Sequence, residues 1–369
     1  MTIIIPTLIV FTITLINSAT LSFYLFYYSK IKNYKKTLPK VKKLLAYPSV
    51  SIHIPIRNEP IELVERVVKK CIKIEYPKEK LQIIIISDDD REYFDTLRKR
   101  LKNIRTGIKM KLIHREKPAG FKAGALNEAL KHTIGKYIAV LDVDSVPGKD
   151  FLLHTLPYLE HDRRIAAVEC KWWATNAEET RIAQAIGYDM PYVEEVLWKG
   201  RQGSGFQPFL YGNGCIIRKD CLKKLGGWDE TCMLEDVELG LRFLLNDYRI
   251  LYLERPSIGV DVPETYNGYK MQQSRWIYGS VEMIKRKFRE IMKSRLRFCE
   301  KIEALFFLSQ YSNFVINFLP LPVFIVYFLF MYGVLNVLSI IGYLETVKVI
   351  VGAIIIPVSY THLTLPTKA

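Results

Sequence analysis

The chain has 369 residues, 49% hydrophobic and 25% charged, with a formal net charge of +15. That length and apolar content allow one sizeable soluble core and leave residues over for membrane spans. The positive charge does not argue for nucleic acid. Much of it lies in Lys30, Lys32, Lys35, Lys36, Lys40, Lys42 and Lys43 and in Lys285–Lys301, beside apolar segments, where anionic lipid headgroups account for it better. The six cysteines show no CxxC spacing and a cytosolic domain would keep them reduced, so neither disulfides nor a zinc site is expected.

In chain order, the first element is the uncharged stretch Ile3–Tyr28. As a helix rising about 1.5 Å per residue it exceeds the roughly 30 Å hydrocarbon core. No Lys or Arg precedes it, unlike a cleaved signal peptide, so residues 1–29 read as a transmembrane anchor. The lysines of the juxtamembrane segment 30–49 mark the cytoplasmic side. The reading is an integral protein of the cell membrane whose middle domain faces the cytosol.

From Val50 onward, short β-branched runs alternate with amphipathic segments. The pattern predicts strands at Ser51–Ile56, Leu81–Ser87, Lys109–His114 and Tyr137–Leu141, and helices at Ile61–Ile74, Tyr93–Asn103 and Ala123–Lys131. Strands alternating with helices imply an α/β fold with a parallel, doubly wound sheet, which binds ligands at the carboxyl ends of its strands. The predicted strands are followed by Arg57-Asn58-Glu59-Pro60, Asp88-Asp89-Asp90 and Asp142-Val143-Asp144. One such cluster is ordinary turn chemistry. Three carboxylate-bearing clusters at three strand ends point to a site.

Residues 151–261 are aromatic-rich, with glycines at 200, 203, 205, 212 and 214 that suit loops close to a ligand. Residues 263–303 read as amphipathic, basic helix at a membrane interface. The apolar region 304–358 reads as C-terminal membrane segments, as one kinked span with an interfacial piece or as two tight spans, because Pro320 and Pro322 interrupt it. Its last run, Val347–Val358, is too short to span, and the polar tail 359–369 reads as foreign sequence after a truncation.

Asp142 and Asp144 form an Asp-x-Asp pair suited to a hard cation, Mg²⁺ or Mn²⁺, that also ligates diphosphate oxygens. Leu234-Glu235-Asp236 opens a predicted helix through Leu245; alone, it fits a charged helix N-terminus. Gln272-Gln273-Ser274-Arg275-Trp276 joins a cation for phosphate to an indole face for a sugar, and equally fits a helix at headgroup level.

In order and spacing these four motifs resemble the processive-type family-two glycosyltransferases, the group containing cellulose, chitin and hyaluronan synthases, from about Val50 to Lys285. The resemblance implies a GT-A-type nucleotide-sugar-binding domain over 50–262, flanked by transmembrane helices. It assigns Asp88 and Asp89 to the nucleoside, Asp142 and Asp144 to the metal with Asp144 the direct ligand, and Asp236 as catalytic base. Arg275 and Asp142 go to the donor, and Gln272, Trp276 and Glu235 to the acceptor. Lesser matches put Glu59 near the nucleotide, Lys122 of Lys117–Asn127 near the donor, and Gly212 and Asn213 in the acceptor loop.

Two departures stand out. Leu234 replaces the usual Thr, and Asp90 stands where Gly is common, threatening to strain the turn or add negative charge. The implied reaction is an inverting displacement from a UDP-sugar onto a growing polysaccharide, giving a β-linkage. Transfer of a single sugar to a membrane lipid and a non-catalytic nucleotide-sugar-binding scaffold are the rivals. A nucleic-acid binder would lack any recognition helix here.

Overall fold

The structure is a computed structural model that describes residues 4–311 and position 325, with side chains described from residue 12 onward except at 14. It divides into two units, Met1–Ser18 with Tyr311–Ala369, and Ala19–Gln310. The second unit carries the sheet and the candidate site.

Among the described residues, eight strands form one sheet: β1 (Val50–Ile56), β2 (Leu81–Ser87), β3 (Lys109–His114), β4 (Tyr137–Val140), β5 (Val146–Pro147), β6 (Ile165–Ala174), β7 (Cys215–Arg218) and β8 (Arg249–Val260). Their order is β3-β2-β1-β4-β7-β6-β8-β5. The first half is parallel as expected, β2 lying between β1 and β3 and β1 between β2 and β4. The second half, for which the sequence pattern predicted no strands, is mixed. There β7 runs antiparallel to β4 and β6, and β5 antiparallel to β8, while β6 and β8 are parallel.

All seven residues of β2 and all but Pro55 of β1 are buried, because helices cover both sheet faces. One of these helices, Ile61–Ile72, turns Val64, Val67, Val68 and Cys71 inward at the helical spacing. Burying each such side chain contributes about 1.5–3 kcal/mol. The helix Arg91–Lys102 begins at Asp90, whose carboxylate accepts the Tyr93 N–H at 2.8 Å. Asp90 therefore caps a helix in ordinary extended backbone, φ −67°, and strains nothing.

The expected amphipathic segment 263–303 forms the helix Tyr266–Lys293 and the start of the helix Phe298–Ser309. Ala304 was expected to open a membrane span. At the start of that region Ala304, Phe307 and Leu308 are buried, and Phe307 stacks on Phe209 at 4.8 Å. Among the described residues no helix is long and apolar enough to cross a membrane. The N-terminal helix runs Ile4–Lys30, with its first side chains outside the described set. Beyond residue 311, the expected C-terminal spans, position 325 aside, and the tail 359–369 lie outside the described residues.

Candidate active site

The parallel pairing of β1 and β2 ends at Ile56 opposite Ser87, so the loops after them emerge side by side. They lock together. Asp89 is nearly buried and accepts the Asn58 N–H and, at 2.8 Å, the Ser87 hydroxyl. Arg115, directly after β3, grips both carboxylate oxygens of Asp88, its Nε at 2.6 Å from Oδ1. Both nucleoside-binding candidates are thus already committed to protein donors, and Arg115 emerges as a site residue the motifs did not name. The strand-end rule alone would have flagged it. Glu59 belongs to the same acidic edge: burial, then the charges of Asp142 and Asp89, raise its pKa.

Beside the end of β4, Lys122 draws Asp142, Gly212 and Glu235 together. Its ammonium lies 2.6 Å from Asp142 Oδ1, 3.0 Å from the Gly212 carbonyl and 4.0 Å from Glu235 Oε1. Burial alone would lower the Lys122 pKa, but Asp142, Glu235 and Asp236 together raise it, so the ammonium stays charged. Asp144 is different. Its Oδ1 is shut from solvent without a hydrogen-bond partner among the described residues, and burial, Asp142 and Asp261 push its pKa up to about 7. Asp261 follows β8, ion-pairs Arg66 at 2.5 Å and was not anticipated.

Asp236 sits in the first turn of the helix Glu235–Leu245, where its Oδ1 accepts the Val237 N–H at 2.7 Å. Gly212, at φ 77°, lies directly behind it. A Cβ there would fall 2.7 Å from Asp236 Oδ2, so only glycine lets the loop approach the carboxylate. Burial raises the Asp236 pKa against the pull of Lys122 and the Val237 N–H. Burial, then Asp236, raises that of Glu235. A carboxylate so raised is a better proton acceptor than one in water.

Asn213 does not present its side chain to an acceptor. It is buried, and its Oδ1 accepts the Asp142 N–H at 3.1 Å and the Ser145 hydroxyl at 2.6 Å, fixing the Asp-x-Asp turn. Behind the same loop, buried Glu169 on β6 accepts the Tyr211 N–H at 2.8 Å, and the Trp172 indole donates to the Asn213 carbonyl at 2.9 Å. These supports were missed, because a single Glu inside an apolar strand carries no motif.

Gln272, Arg275 and Trp276 are not joined to this cluster. Arg275 is exposed, Gln272 and Trp276 are half-buried, and no hydrogen bond or ion pair links them to it among the described residues. Their helix nevertheless seats on the acidic motif. A Cβ at Gly279 would fall 2.3 Å from Leu234 Cγ, so Leu234, in place of the usual Thr, packs directly against this helix.

Among the described residues no three His, Cys, Asp or Glu side chains gather as a ready metal cage. The unpartnered Asp144 oxygen, raised in pKa beside Asp142, nonetheless fits a hard divalent cation whose coordination a diphosphate would complete.

Residues 48–279 match the family described as "Glycosyltransferase like family 2". A "Probable glycosyltransferase" of Sulfolobus acidocaldarius is 27% identical over 273 residues, covering 73% of this chain and 58% of that protein. A "Probable glucomannan 4-beta-mannosyltransferase 11" of Oryza sativa subsp. japonica is 30% identical over 289 residues, covering 74% of this chain and 50% of that protein. The chain thus spans roughly half the length of these curated relatives. Among solved structures, the mannosyltransferase PcManGT from Pyrobaculum calidifontis, in complex with GDP-Man and Mn²⁺, matches with a TM-score of 0.69, covering 92% of this chain and 91% of that one at 19% identity. That likeness is one of fold, and it supports the GT-A-like α/β architecture. By the match over residues 48–279, the chain belongs to glycosyltransferase family 2.

Proposed function

We propose that the chain transfers a sugar from a nucleoside-diphosphate donor to an acceptor hydroxyl with inversion, using Asp236 as base. The observation that carries this reading is Asp236 itself: raised in pKa, backed by Gly212, and in electrostatic contact with the ammonium of Lys122, which holds Asp142. Asp236 takes the acceptor proton as that oxygen attacks the anomeric carbon from the face opposite the diphosphate. Lys122 supplies fixed positive charge toward the leaving group, and Arg275, exposed and without an ion-pair partner among the described residues, is the cation left to join it when the donor binds. A divalent cation held by Asp142 and Asp144 would add charge neutralisation at the departing diphosphate.

The sugar we assign is mannose and the product a β-linked polysaccharide. Relatives at 30% identity named as glucomannan 4-beta-mannosyltransferases favour that assignment over the UDP-sugar expected from sequence, with GDP-mannose the first donor to try. The basic segments 30–49 and 285–301, with exposed Met271, Tyr278 and Phe288 on the long helix, support work at a cytoplasmic membrane face.

The test is nucleoside diphosphate release from a panel of GDP- and UDP-sugars with Mn²⁺ or Mg²⁺. Turnover of GDP-mannose, abolished by EDTA, is the expected result. Turnover of a UDP-sugar alone removes the mannose assignment, and binding without turnover of any donor removes the enzyme reading.

A further inference from the structure

Two successive residues entering the helix Phe121–Lys131 have left-handed backbone, Gly120 at φ 72° and Phe121 at φ 51°. Glycine adopts that conformation freely, but for a phenylalanine it is an outlier that persists only where surrounding contacts fix it. Those contacts are present. Arg115, held by Asp88, donates to the carbonyls of Ala119 at 2.8 Å and Phe121 at 3.3 Å. Lys122, the next residue, is pinned to Asp142 and the Gly212 carbonyl.

This turn explains the left-handed backbone, and a glycine would satisfy it without strain. It does not explain the ring. The Phe121 side chain is 62% exposed and joins no hydrophobic cluster or ring pair among the described residues. A large apolar surface is therefore carried at a backbone position hostile to it, covered by nothing described. In the chain it stands between Arg115, which grips Asp88, and Lys122, which grips Asp142.

We infer that Phe121 is the stacking face for the nucleobase of the donor. The inference rests on the nucleotide-sugar reading above. The Lys122 and Asp142 side suits the diphosphate, while the Arg115 linkage ties Phe121 to the loop of Asp88 and Asp89. The carboxylates of both aspartates already accept from protein donors, which leaves them fewer lone pairs for a base and no apolar face to offer it. A flat uncharged ring supplies what they lack, and it does so for any base, because every base has a π-face.

The test is equilibrium binding of GDP, UDP and inorganic pyrophosphate, each with Mn²⁺, to the wild type and to Phe121→Ala, Phe121→Gly and Phe121→Trp, with thermal unfolding of each protein. Loss of base stacking should weaken nucleoside diphosphate binding about tenfold in the Ala and Gly variants. Pyrophosphate binding should stay at the wild-type level, and Trp should preserve nucleotide binding. The Gly variant should also unfold at a higher temperature, since it removes the strain while it removes the ring. Unchanged nucleotide affinity in both the Ala and Gly variants overturns the inference alone. Pyrophosphate affinity falling in step with nucleotide affinity also overturns it, because the residue would then only shape the loop around Lys122. A wild type that binds neither nucleotide overturns the inference together with the transferase reading.

Discussion

Residues of one type have opposite fates here, and the local environment decides between them. Asp88 is gripped by Arg115, whereas Asp144 keeps an oxygen without a partner among the described residues. Burial decides the state of a histidine as well. His53 on β1 is fully buried, its Nε2 is 2.8 Å from the Thr133 hydroxyl, and burial pushes its pKa down to about 3. In the unfolded chain it titrates near 6.5, so between those values the unfolded state binds one more proton and folding loses stability as pH falls. The contribution is intact above pH ~6.5, and about 2 kcal/mol of it should be gone at pH 5. Denaturant unfolding of wild type and His53→Gln from pH 7.5 to 4.5 reads this directly: the two curves should converge as pH falls. Parallel curves would mean that the ring is protonated in the fold.

At the scale of elements, the helix Tyr266–Lys293 and the acidic motif meet where Gly279 faces Leu234. Helix propensity alone makes Gly279→Ala stabilising by about 1 kcal/mol. The added Cβ would lie 2.3 Å from Leu234 Cγ, and overpacking costs about 1–3 kcal/mol, so the clash should win. Gly279→Ala should therefore destabilise, and Leu234→Ala should relieve part of that cost in the double variant. Additive urea midpoints across the cycle would refute the contact. The first four strands were legible because short apolar runs, β-branched in β1, β2 and β4, alternate with amphipathic helical segments, and their observed bounds differ from the expected ones by a residue at most. The later strands were not. β7 is four buried residues with no alternation, and β6 pairs in parallel with β8 across more than seventy residues of intervening chain, which no local periodicity reports. The motifs carried Asp142, Asp144, Lys122 and Asp236 into one site, but they did not reveal that Asn213 faces inward or that Arg115 grips Asp88.

Across the whole second unit, its N-terminal and C-terminal helices are tied to the middle of the chain by one buried ion pair. Arg201 contacts Glu303, its guanidinium lying 4.5 Å from the Phe209 ring and 4.2 Å from the Phe307 ring, while the Tyr27 hydroxyl donates to Glu303 at 2.6 Å. Gly200 and Gly203 permit this closeness, since a Cβ at either would strike the backbone of Tyr27 or Lys30. Removing one partner of such a pair typically costs about 3–5 kcal/mol, enough to threaten a marginally stable domain. The basic segments bordering these helices were legible from charge alone, but the ion pair was not, because its partners are 102 residues apart. The proposed mechanism rests on one carboxylate, that of Asp236. The most direct measurement is Asp236→Asn, with donor affinity read by calorimetry beside donor turnover. Near-isosteric loss of the base should leave donor binding within a few-fold of wild type and reduce turnover by roughly a hundredfold or more. Turnover at the wild-type rate in that variant would contradict the assignment of Asp236 as the base.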